Sequence, residues 1–559
     1  MFAAGTKSRT GACWSGVSAV KCLGLLFTCL KRVKVCLLFV VVFATAAEQC
    51  HARFVVCVCP QQFDEAWQPW IDYRREQGYL IGIVRPEGSA AVIREAIKTV
   101  AKSRELKAVV LLGDAPTFTK GEFGERKHVY VPTFYFQAKV NVLFGSEPEI
   151  ASDLPYGDLN GDGIVDVAVG RIPIVTGKQL AGYVQRVLSY EQGFPEAAGK
   201  RDIHFVAGVG GFGPAIDGVL TTVTRKFISQ GIPGSFRVTM TQASWQSPFC
   251  PDPFRFGQHT LNRLNDGGLF WIYMGHGLRD QLDRVQIPGA PPIPIMKQEN
   301  LEGVAIKGLP PVCVFLACYV GAFDSSKPCI GEQLVLLDRG PIAVFAASRV
   351  SMPYAMSVMG DGMLRQCFRR REEVLGDVVT NTKRSLVVPQ ANDRTPNRRL
   401  LDGLAGNLSP APHLLAEERE EHALMFNLLG DPLLQLNYPD GVKLNCLPTV
   451  KNGELLKVSF QAPARGNAVL ELATERGVQR FVPLQREQFD RSLTEAYDRE
   501  YRLANDAVWL SDQWQQDSLT MVSRDLPIKD VKPGFQTLRL VLQSEEQLYI
   551  GSKRIYVLD

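Results

Sequence analysis

The chain has 559 residues and 13 cysteines, yet no two of them form a CxxC pair and no cluster has the spacing of a zinc site. Five cysteines lie within the first 50 residues. The other eight are Cys57, Cys59, Cys250, Cys313, Cys318, Cys329, Cys367 and Cys446. That density is too low for disulfides to be the main scaffold. Long apolar runs are missing too. The run Val35–Ala47 has 13 residues, short of the roughly 20 that a membrane-crossing helix needs. Basic charge is scarce beyond the start. The first 47 residues hold six Lys or Arg and no acid, so the rest carries 56 basic against 58 acidic side chains. With no basic domain, nucleic acid is excluded as a partner. No internal repeat occurs, which removes propellers and solenoids.

What is there begins with a leader. Lys31-Arg32-Val33-Lys34, the apolar run and the small residues Ala44-Thr45-Ala46-Ala47 have the layout of a secretory signal peptide. Residues 1–52 are therefore read as a leader, and the protein as secreted, periplasmic or surface-bound. Membrane contact is expected only if the leader stays uncleaved. From residue 53 strands and helices alternate. Apolar strands are expected at Arg53–Val58, Tyr79–Val84 and Leu106–Leu112, with helices at Phe63–Gln77 and Ala90–Arg104. The pattern resumes with strands at Asp202–Ala207 and Phe236–Thr241 around a helix at Ala215–Gln230. Phe270–Met274, Val312–Leu316 and Gly340–Ala347 follow. Such alternation is the signature of α/β folds with mostly parallel sheets. Two α/β lobes are expected, 53–195 and 196–437, with a mobile loop around Ala391–His413. Short strands with turns at 438–559 predict a small all-β sandwich.

Two strands deliver chemistry at their ends. Phe270–Met274 leads into Gly275-His276-Gly277, and Val312–Leu316 leads into Ala317-Cys318-Tyr319. In parallel sheets, ligands collect at the carboxyl ends of strands. An imidazole beside a thiol can take its proton and make it a nucleophile. The backbone N–H groups of Gly277 and Cys318 could then receive a tetrahedral oxyanion. The bland alternative is a hydrogen-bonded core histidine and a thiol packed as a small hydrophobe. Cys57 and Cys59, two apart on one strand, and Cys313 inside another are read as packing. Asp280 and Asp283 are read as a solvated loop.

Two further motifs stand out. Asp158, Asn160, Asp162 and Asp166 place oxygen donors at alternate positions around Gly161 and Gly163. This is a calcium-loop pattern, but Val169 stands where an EF-hand has its twelfth-position acid. A structural Ca²⁺ site and a solvated turn before a strand at Ile164–Val169 are both open. Gly208-Val209-Gly210-Gly211-Phe212-Gly213 fits G-x-G-x-x-G, yet no acid ends the next strand near Val238–Gln242 and Pro214 follows at once. A loop at the lip of a cleft is the better reading than a dinucleotide site.

In order along the chain, the following segments resemble the gingipain-type cysteine peptidases, relatives of the caspases: Leu111–Asp114, Tyr156–Gly163 with Val169–Pro173, Gly275-His276-Gly277, Ala317-Cys318-Tyr319 through Asp324, Gly331-Glu332, and Asn427–Pro432. The likeness spans roughly 53–437. It implies a caspase-like fold of mostly parallel sheets flanked by helices, with an immunoglobulin-like sandwich after it. It implies a cysteine endopeptidase with Cys318 as nucleophile, His276 as proton carrier, and Gly277 and Cys318 as oxyanion donors. The substrate would be protein or peptide, and the chemistry needs no cofactor. A transpeptidase using the same thioester, and a non-catalytic, calcium-stabilised binding protein on this scaffold, are the alternatives. The family's best-known members carry a long pro-segment before the catalytic lobes; here the leader runs almost directly into the first strand.

Overall fold

A computed structural model describes residues 53–102, 104–116, 131–193, 199–210, 231–388 and 395–559, with the backbone alone at 118–119 and 122–123. The leader, the expected helix at Ala215–Gln230 and Gly211–Gly213 of the glycine run lie outside the described residues.

Ten strands form one sheet: β1 Phe54–Val58, β2 Leu80–Val84, β3 Leu106–Leu112, β4 Ala168–Ile172, β5 Asp202–Ala207, β6 Arg237–Gln242, β7 Phe270–Met274, β8 Val312–Leu316, β9 Ala343–Ala347 and β10 Phe426–Leu429. Their order is β6-β5-β7-β8-β9-β10-β4-β3-β1-β2. β10 runs antiparallel to β9 and parallel to β4, and every other pairing is parallel. Two parallel halves thus meet in a continuous sheet, and the last strand in sequence fills the seam between them.

The strands read as unbroken apolar runs because both faces are covered. Val55, Cys57 and Cys59 enter one packed layer, while Phe54, Val56 and Val58 enter the other. Burial pushes the Cys59 thiol up to about 12, so it packs and does not react. The helix Asp64–Glu76 buries Trp67, Trp70, Ile71 and Arg74. Arg74 donates to Glu191 at 2.7 Å and to Asp431 at 2.7 Å, and Trp70 Nε1 donates to the same Asp431 oxygen at 2.5 Å. The Gly430-Asp431-Pro432 turn after β10 is therefore anchored to the helix beneath the first half.

Two sequence expectations change here. The chain from Ile164 to Val167 is loop and the strand starts at Ala168, because Asp166 and Val167 donate back to the Gly157 carbonyl instead of joining the sheet. Of the stretch expected to be mobile around Ala391–His413, residues 391–394 lie outside the described residues, and the rest holds a helix at Pro396–Leu408, capped by Thr395, whose Oγ1 accepts the Arg398 N–H at 3.1 Å. Thr395 at the cap with Pro396 in the first turn is the local start signal.

Beyond Asn437, Gly466–Thr474, Val508–Gln516, Gly534–Gln543 and Leu548–Leu558 form an antiparallel sheet facing the pair Leu455–Gln461 and Met521–Pro527. Leu456, Val458 and Phe460 alternate with exposed neighbours and point at Leu470, Leu472, Leu538 and Leu540, as a sandwich core requires. The helix Thr494–Asn505 leaves this sandwich and docks on β6. Asn505 exchanges hydrogen bonds with the Met240 backbone at 2.7 and 3.0 Å, and the Tyr501 and Thr241 hydroxyls meet at 2.8 Å. Among the described residues no helix is long and apolar enough to cross a membrane.

Candidate active site

β7 and β8 pair in parallel with Phe270 opposite Val312 and Met274 opposite Leu316. His276 and Cys318 each lie two residues past that last pair. Paired strands sit about 4.8 Å apart, so equal stagger brings both residues to one edge of the sheet. The main chains stay in contact beyond the strands. A Cβ on Gly277 would stand 2.6 Å from the Cys318 carbonyl oxygen and 2.9 Å from a Val320 methyl, so only glycine fits there.

His276 is half-buried. The buried Tyr273 hydroxyl donates to its carbonyl at 2.7 Å, and the Asp283 N–H donates to the same oxygen at 3.2 Å. The Asp283 carboxylate accepts from Val209 N–H at 3.0 Å and Arg284 N–H at 2.8 Å. Burial pushes this carboxyl up, against the pull of the Arg284 amide and the neighbouring His276 charge. Asp283 is thus part of the floor under His276 and not the solvated side chain expected from sequence. Asp280 is exposed. Val209, from the glycine run, meets His276's surroundings through this carboxylate.

Cys318 is free and half-exposed, whereas Cys57, Cys59, Cys250, Cys313, Cys329 and Cys367 are free and buried. Its sulfur accepts from the Ser351 N–H at 3.3 Å and lies 3.7 Å from the Ser351 hydroxyl. Ser351 follows β9. The next residue, Met352, donates its N–H to His422 Nε2 at 2.8 Å, and His422 Nδ1 bonds the Glu418 carbonyl at 2.6 Å. Burial pushes His422 down to about 4, so the ring is neutral and its Nε2 can accept. Neither the Gly277 nor the Cys318 amide donates to a backbone carbonyl among the described residues.

Tyr319, next to Cys318, has φ of 59°. A left-handed tyrosine is strained, and such strain gathers at functional sites. Its hydroxyl donates to Glu147 at 2.6 Å and its ring lies under Arg279, whose guanidinium is 4.3 Å from the centroid. Arg279 also pairs with Glu147. Tyr319 was visible in the sequence, but nothing marked its backbone. Ser351 and Glu147 were missed because each reaches the site from a distant loop, and Arg279, three residues after His276, because nothing in sequence links it to Glu147.

The Asp158–Asp166 loop precedes β4. Asp158 accepts from Gly161 N–H at 2.6 Å and Gly163 N–H at 3.1 Å, Asp162 from Ile164 N–H at 2.8 Å, and Asp166 from Leu159 N–H at 2.8 Å. Asn160 donates to Asp162 at 2.9 Å. The oxygens face amides, as in Asx turns. Among the described residues no group of three or more His, Cys, Asp or Glu is set to hold a metal.

A model of peptidase family C25 matches residues 49–437. Among solved structures, one described as a protease is 14% identical with a TM-score of 0.51, covering 90% of this chain and 97% of its own. The Arg-specific cysteine proteinase gingipain R is 15% identical with a TM-score of 0.49, covering 91% and 98%. A complex of the pro- and mature domains of RgpB from Porphyromonas gingivalis is 14% identical with a TM-score of 0.49, covering 90% and 100%. No curated protein matches the chain.

Proposed function

The chain belongs to peptidase family C25 and is a cysteine-type peptidase acting on protein, and from that premise we propose that it is a secreted endopeptidase working through Cys318 and His276. The observation that carries the proposal is the equal stagger of the two residues past paired strands, with Cys318 the half-exposed cysteine at a strand end. The thiol passes its proton to His276. The Cys318 sulfur then attacks the scissile carbonyl carbon, and the oxygen takes the charge facing the Gly277 and Cys318 amides. His276 returns the proton to the leaving amine as the C–N bond breaks, leaving a thioester. Water, deprotonated by His276, attacks the thioester and releases the acid.

Neighbours tune these steps. The Ser351 N–H and hydroxyl stabilise a thiolate on Cys318. Asp283 and Tyr273 hold the His276 backbone and act as positioning residues. Export rests on the leader sequence. The calcium part of the proposal concerns stability alone: a cation would have to take the Asp158–Asp166 oxygens from their amides. A chelator that leaves the melting temperature unchanged removes it.

The test is labelling with a thiol-directed peptidyl ketone. Cys318 should be modified ahead of the other seven cysteines, and His276→Ala, with its circular dichroism intact, should lose the labelling. Equal labelling of several cysteines sinks the dyad. Products trapped with an added amine would reveal transpeptidation by the same thioester.

A further inference from the structure

Far from Cys318, the amino ends of β5 and β6 face the C-terminal sandwich across a cavity of about 1280 Å³. It sits at the opposite end of β5 from the catalytic edge, roughly 20 Å away at the rise of a strand. Arg201, Arg476 and Arg539 line it beside one central carboxylate, Glu471. Glu471 is shared: its oxygens lie 3.3 Å from Arg201 and 3.7 Å from Arg539. Of the other acids lining the cavity, Glu475 pairs with Arg554 at 2.8 Å, Asp202 with Arg237 at 2.5 Å, Asp266 with Arg263 at 3.1 Å and Asp506 with Arg480 at 2.7 Å, while Glu545 is exposed.

Arg539 decides the matter. It is only 7% exposed, and its Nε has no hydrogen-bond partner. Burying a cation in this way is costly unless a negative charge answers it. Burial depresses the Arg539 guanidinium, with Glu471 opposing and Arg201 and Arg237 adding repulsion. Arg476 donates to the Pro233 and Phe236 carbonyls at 2.6 and 2.7 Å, and burial with the Arg539 charge brings it down to about 9.

We propose that this junction is a binding site for a small multivalent oxyanion, such as a phosphate or sulfate ester, held by Arg201, Arg476 and Arg539. Guanidinium forks match oxyanions with paired hydrogen bonds, and the cavity has room for the rest of a small organic molecule. An anion there would tie the sandwich to the catalytic sheet without touching the chemistry, so the proposal is independent of the peptidase reading.

The mature protein would be melted during titration with sodium phosphate or sodium sulfate at fixed ionic strength, with sodium chloride as the balance. A saturable rise in melting temperature is expected, and Arg539→Gln and Arg201→Gln should each weaken the apparent affinity at least tenfold. Phosphate and sulfate acting alike would mark recognition of charge; phosphate alone would mark a phosphate ester. No rise beyond chloride, or the same rise in both variants, overturns the proposal, since a general salt effect ignores these residues. If Arg539→Gln does not fold, Arg201→Gln, at the more open edge, carries the comparison. Peptidase activity measured in parallel should be unchanged in folded variants.

Discussion

Cys313 sits in the body of β8, where burial drives its thiol well above the usual range. Cys318, past the tip of the same strand, is half-exposed and receives the Ser351 N–H at 3.3 Å. The residue type and strand are the same, so the difference comes from place alone. Inside the sheet, neighbours are apolar and backbone groups are spent on the ladder. At the tip the ladder ends, amides come free, and loops from distant parts of the chain bring polar groups. A thiol in the body packs; one at the tip meets polar groups.

The comparison is broken most directly by Cys318→Ala, which should lower kcat on the order of 10⁶-fold, the scale of losing a covalent nucleophile. Cys313→Ala should leave kcat/KM within about twofold and cost about 1 kcal/mol in denaturant unfolding. Next is a buried pair in the body. Arg171 and Asp153 are nearly inaccessible and 2.7 Å apart, so Asp153→Asn should destabilise by about 3–5 kcal/mol. The half-exposed pair Arg279–Glu147 at the tip should cost at most about 1 kcal/mol when broken. Gly277→Ala should lower kcat by about 10²–10³, the worth of one oxyanion donor, because the added Cβ displaces the Cys318 carbonyl.

The smallest effect is a pH slope. Burial raises Glu418 from 4.5 to about 7. Between those values the unfolded chain gives up the proton that the folded chain keeps, so this carboxyl erodes stability as pH rises through the window. His422, lowered from 6.5 to about 4, erodes it as pH falls from 6.5 to 4. The two nearly cancel where they overlap. Thermal melts of Glu418→Gln should therefore show stability falling on acidification below pH 6.5, where the parent is flatter.

Legibility in the sequence follows the same division. Strand bodies were readable because continuous apolar runs of five to seven residues leave little choice; Val312–Leu316 and Phe270–Met274 were placed to the residue. His276 and Cys318 stood out as candidates because each follows the end of such a run by two residues. Ser351 and Glu147 were not, since their partners are 33 and 172 residues away in sequence. Asp283 was misread for the same reason: its carboxylate meets Val209, 74 residues earlier. The join of the sheet halves through β10 was equally hidden, because four residues near position 428 carry no sign of which strands they will separate.

That late strand has a temporal meaning. β10 is central in space but 79 residues behind β9 in the chain, measured from Ala347 to Phe426. A ribosome that has already released His276 and Cys318 has not yet made the piece that closes the seam, and pairings this distant in sequence form slowly.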